Sequence, residues 1–124
     1  MSIRPSPPFG TPLAYSIQIT RPARQDAQEY AAFIHTERQS PGAARHWLAG
    51  LYEAITGLRE APHRFAVIAE AGEAGFPYRA FVYHSHRVVY AVDDTAQVVL
   101  VLRIYHTARQ SLSEQELRDS SERE

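Results

Sequence analysis

The chain has 124 residues, 44% of them hydrophobic and 22% charged, with a formal net charge of −1 and no cysteine. That length fits one domain with a modest core, the charge argues against broad nucleic-acid binding, and disulfides and cysteine–zinc sites are excluded. No apolar stretch approaches the roughly 20 residues a membrane span needs, and Arg4 has no apolar run behind it, so the chain reads as cytoplasmic.

Residues 1–13 carry Pro5, Pro7, Pro8, Gly10 and Pro12 and read as a disordered or polyproline-like leader. From Ala14 to Thr20 apolar and polar residues alternate with period two, which predicts a strand. Thr20 is placed to cap a helix, with Pro22 tolerated in its first turn. Ala27, Tyr30, Ala31 and Ile34 then recur at helical spacing as far as about Arg38. Ser40-Pro41 repeats the start signal. Ala44, Leu48, Leu51, Ile55 and Leu58 form one apolar stripe to about Arg59, and Pro62 stops the helix. Only a short connection separates the two helices, so they are expected to pack as an antiparallel hairpin.

Residues 64–69 read as a short strand and residues 70–77 as a Gly-containing loop. Residues 78–83 and 87–92 read as strands joined by His84-Ser85-His86, and Asp93-Asp94-Thr95 turns the chain into a last strand over about 97–105. That last run is apolar at Val98, Val99, Leu100, Val101, Leu102 and Ile104, so both of its faces should be buried. The predicted class is α+β: an N-terminal strand and an antiparallel helical hairpin packed on a twisted antiparallel sheet of about four strands. Residues 14–112 make up the domain, and residues 113–124 form an acidic tail.

The buried last strand delivers His106 to the rim of the core, with Arg109 just beyond it. Arg103 lies on the same strand, and Arg79 and Arg87 lie on the two before it. Between Phe76 and Ser111 these four arginines face only Asp93 and Asp94, whereas the tail carries five acidic residues against two arginines. All thirteen basic residues are arginine, so every permanent cation is a planar fork suited to carboxylate or phosphate. Singly, each reads as a sheet-edge residue paired with a nearby acid. Together, Arg79, Arg87, Arg103 and Arg109 with His106 read as an anion- or partner-binding face.

His106 reads as a structural residue or as a general base near neutral pH. His84 and His86 have the i, i+2 spacing of metal ligands but lie in a turn without carboxylate partners, and no metal is expected. Trp47 reads as a helix-packing residue or as part of a second contact surface on the hairpin. The sequence has no Gly-rich phosphate loop, Gly-x-Ser-x-Gly elbow or paired-carboxylate motif, so no cofactor is expected.

Four pieces in order carry a family resemblance. They are Arg21-Pro22-Ala23-Arg24-Gln25-Asp26 after a strand, and Ser40-Pro41-Gly42-Ala43-Ala44 with Leu58 to Pro62 bounding the second helix. Next come Tyr78-Arg79-Ala80-Phe81 with His86-Arg87-Val88-Val89-Tyr90, and then Val101 through Arg109. Over about Tyr15 to Leu112 the chain resembles the RelE/ParE superfamily of bacterial type II toxins, closer to ParE in the strand-end pattern from His106 to Arg109.

The resemblance implies a toxin silenced by a cognate, ParD-like antitoxin in a hetero-oligomer, as in plasmid-stabilisation pairs, with DNA contacted only through the antitoxin. ParE-like members bind DNA gyrase and need no catalytic group. RelE-like members cut mRNA on the ribosome. For that role this chain offers Arg79, Arg87, Arg109 and His106, with Tyr105 as a further proton carrier. It has no lysine, and arginine is a poor general acid or base. The expectation is therefore a gyrase-binding toxin, with a ribosome-dependent endoribonuclease or a non-toxic binding member as alternatives.

Overall fold

The computed structural model describes residues 14–68 and 77–107. The leader, most of the expected Gly-containing loop, Arg109 and the acidic tail lie outside the described residues.

Thr20 separates β1 (Ser16–Ile19) from α1 (Arg21–Arg38). Its fully buried hydroxyl accepts from the Ala23 N–H at 3.2 Å and donates to the Leu102 carbonyl at 3.0 Å. One side chain therefore caps the helix and satisfies a carbonyl of the sheet. Ser40 caps α2 (Pro41–Thr56) in the same way, accepting from the Ala43 N–H at 3.1 Å. Gln39 between the helices takes the left-handed conformation, φ 49°, which ends α1 and lets the chain reverse. The apolar stripe outlasts the α-helix: Gly57–Arg59 tightens into a 3₁₀ turn that still buries Leu58.

The remaining strands are β2 (Tyr78–Tyr83), β3 (His86–Asp93) and β4 (Val98–His106), and the sheet order is β1-β4-β3-β2. β4 is central and buried on both faces, as its apolar run requires. Val99, Val101 and Ile104 join Phe81, Val88 and Tyr90 beneath the helices. Leu102 and Tyr105 pack on the opposite face with Ile68, Tyr78, Val89 and Ala91. Tyr90 reaches across to donate its hydroxyl to the Pro62 carbonyl at 2.8 Å, and burial pushes that hydroxyl up to about 12.

Two features depart from the sequence expectation. β2, β3 and β4 are antiparallel, but β1 joins β4 in parallel, Ser16 opposite Val98 through Ile19 opposite Val101. A helical hairpin and two further strands intervene, and a crossover of that length permits parallel pairing where a tight turn does not. The segment read as a strand over 64–69 makes a single bridge, Val67 to Arg79, within its described part. The Arg79 guanidinium donates to the carbonyls of His63 (3.3 Å) and Phe65 (2.6 Å), tying this segment down by a side chain instead of a ladder.

A β-bulge sits in β4. Val89 faces Arg103 and Tyr90 faces Val101, so Leu102 is the extra residue. Helix-facing side chains therefore skip from Val101 to Ile104, and those on the other face from Leu102 to Tyr105. Arg103, between them, turns to α1. Its Nε and Nη2 bind the two carboxylate oxygens of Asp26 at 2.7 and 2.9 Å, and the Ile104 N–H donates to the same carboxylate at 2.9 Å.

The Arg103 and Asp26 side chains are only 19% and 13% exposed, so removing the carboxylate strands both a guanidinium and an amide. Asp26→Ala is expected to destabilise the protein by about 3 kcal/mol in urea unfolding. The double variant Asp26→Ala/Arg103→Met should lose less than Asp26→Ala alone, because it leaves no buried charge behind.

Candidate functional site

Ring side chains from five elements meet at the end of the sheet where β3 begins and β4 stops. His86 opens β3, opposite Tyr83 of β2 and His106 of β4. α1 brings Tyr30 and Phe33 over this end, and α2 brings Trp47. Ring centroids lie 4.1 Å apart for Tyr30–His86, 4.9 Å for Tyr30–Trp47, and 5.3 Å for both Trp47–His86 and His86–His106. His86 is only 4% exposed, and its Nδ1 is sealed from solvent with no hydrogen-bond partner among the described residues. Burial, seconded by the neighbouring His106 and opposed by Asp26, holds His86 below the ordinary histidine range. It is therefore neutral at neutral pH.

A cleft of about 480 Å³ opens here between α1 and β4, walled by Glu29, Tyr30 and Phe33 on one side and His86, Tyr105 and His106 on the other. On the far side of Tyr30 a second cleft of about 300 Å³ is rimmed by Arg38, His46, His84 and Ser85. At the opposite end of the sheet, Asp94 accepts from the Tyr15 hydroxyl at 2.7 Å and lies 2.9 Å from His63 Nε2. The Tyr15 hydrogen bond is the main reason the Asp94 carboxyl stays below its usual range.

The structure brings together only part of the predicted face. Arg87 lies opposite Tyr105 and donates to its hydroxyl at 3.3 Å, and His106 follows, exposed, at the end of the strand. Arg103 is two residues along the ladder from Arg87, held by Asp26. Arg79 lies further down β2, opposite Tyr90, and binds backbone carbonyls. The described arginines therefore do not form one cluster. Trp47 is a core residue in the ring assembly, and its edge lines the second cleft. His84 is exposed against Tyr83 while His86 is buried, so the two histidines diverge. Arg109 lies outside the described residues.

Sequence reasoning missed Asp26, Glu29, Tyr30 and Phe33. Their spacing of i, i+3, i+4 and i+7 was available as a signal of one shared helix face. What the site offers chemically is one arginine, one phenol and one exposed imidazole beside an aromatic cleft, a set suited to contact with an anion or a partner side chain.

Because folding keeps His86 neutral, the unfolded chain takes up that proton first as pH falls below about 6.5. Stability is expected to fall as pH drops through and below about 6.5. His86→Phe, which keeps a ring in place, should make that drop shallower in thermal unfolding. An identical pH profile in the variant would rule out His86 as its source.

The family model described as "ParE toxin of type II toxin-antitoxin system, parDE" matches residues 17–111. Among solved structures, the chromosomal ParDE system from P. aeruginosa is similar with a TM-score of 0.60 at 17% identity, covering 75% of this chain and 96% of that one. The toxin–antitoxin complex RelBE2 from Mycobacterium tuberculosis is similar with a TM-score of 0.54 at 22% identity, covering 80% and 98%. At these identities the likeness is one of fold. No curated protein matches the sequence. The family match takes in both helices, β2, β3 and β4 and all but the first residue of β1, and by it the chain belongs to the ParE toxin family of type II toxin–antitoxin systems.

Proposed function

We propose that this toxin acts in the cytoplasm by binding DNA gyrase, and that a cognate ParD-like antitoxin neutralises it in a hetero-oligomer that alone contacts operator DNA. The observation that carries this reading is the ParE family match over residues 17–111. Support for the antitoxin comes from the similar structures, which are a ParDE system and a RelBE2 toxin–antitoxin complex. Among the described residues no helix is long and apolar enough to cross a membrane.

The geometry favours contact over chemistry. Two of the arginines named for an RNA-cleaving site are spread over different parts of the sheet, Arg79 against backbone carbonyls and Arg87 against Tyr105. Arginine stabilises developing charge but does not shuttle protons near neutral pH. The grouping of Arg87, Tyr105 and His106 at one sheet end favours a second reading, a ribosome-dependent mRNA endonuclease.

Pulse-labelling of DNA, RNA and protein synthesis after induction without antitoxin separates the two. An early stop in DNA synthesis, with toxicity retained by His106→Ala, is the expected result. An early stop in protein synthesis with loss of message, abolished by His106→Ala in a folded protein, would replace gyrase binding with RNA cleavage. Unimpaired growth with soluble, folded protein would indicate a repurposed, non-toxic member.

A further inference from the structure

We propose that the cleft between α1 and the end of β4 is a docking pocket for a guanidinium group, an arginine side chain of a protein partner. Its volume of about 480 Å³ accommodates a large side chain. One wall is aromatic: Tyr30 and Phe33 stack at 5.5 Å with 29° between their planes, and Phe33 is 53% exposed. Such a face binds a flat cation well.

The charges in the cleft are asymmetric. Asp26 is already satisfied by Arg103 and the Ile104 amide. Glu29, one helical turn further along, is exposed and has no ion-pair or hydrogen-bond partner among the described residues. The opposite wall includes the exposed edge of His86, an otherwise buried imidazole. The pocket thus combines a carboxylate without a described partner and an aromatic face. A guanidinium matches both, because it is flat, cationic and carries only donors. A carboxylate or phosphate would meet Glu29 as a like charge, and an aliphatic side chain would leave Glu29 unpaired. The inference rests on the chemistry of the cleft and is independent of the process the toxin arrests.

The test uses the full chain and N-acetyl-L-arginine methylamide as probe, with the ring signals of His86 and His106 followed by NMR. Saturable shifts of both rings are expected, with binding weakened about threefold in Glu29→Gln and by a similar factor in Phe33→Ala. The lysine analogue should bind more weakly than the arginine probe. Both positions are exposed, so folding of the variants can be confirmed from the same spectra. No saturable shift, unchanged binding in both variants, or equal binding of the lysine analogue would each overturn the proposal. Shifts that depend on protein concentration without probe would assign the pocket to a second copy of the chain and overturn it as well.

Discussion

Beyond Val101 the central strand β4 has no β-neighbour on its β1 side, and α1 stands in for one. Thr20 takes the Leu102 carbonyl and Asp26 takes the Ile104 amide, while the bulge at Leu102 swings Arg103 round to complete a bidentate pair with the same carboxylate. Burying two charges is expensive unless every lone pair and proton finds a partner, and here the carboxylate accepts three hydrogen bonds. This contact fixes where α1 lies along β4. Glu29, Tyr30 and Phe33 follow Asp26 at i+3, i+4 and i+7, so pinning Asp26 also aims the wall of the cleft.

The ring assembly extends that constraint across the end of the molecule. His86 occupies a position where an apolar ring would pack as well, surrounded by Tyr30, Trp47 and His106. Tyr83 closes the far side by donating to the Trp47 carbonyl at 2.9 Å, and α2 approaches it at Gly50, where a Cβ would collide with the tyrosine hydroxyl. Polar atoms therefore join helices and sheet at this end, beside the apolar core that fills the rest of the space beneath the helices. A core edge of that kind is ready to be recognised, because its polar groups already lie at the surface of the packing.

Local chemistry was legible in the sequence and long-range chemistry was not. Thr20-Arg21-Pro22 and Ser40-Pro41 announce helix starts because a capping oxygen and a proline act within three residues of each other. The three antiparallel strands follow from their turns. The parallel seat of β1 depends on a partner 82 positions away, and no local pattern records it. The bulge hides in an unbroken apolar run, where a skipped residue leaves alternation unchanged. Arg103 reads as one more surface cation until Asp26, 77 residues distant, is placed beside it. For Trp47 the spacing left helix packing and a contact surface both open, and tertiary packing puts it in the core.

The pairing of β1 with β4 also sets the order of assembly. The first described strand has no partner until the last described strand has been made, so the helical hairpin is synthesised while the sheet lacks its centre. Contacts this distant in sequence are closed late, after the entropy of a long loop has been met. A nascent chain that stops before β4 therefore lacks that strand and the Arg103 partner of Asp26, and α1 is left with its packing against α2. For this toxin-family chain the folded surface exists only once β4 has been made.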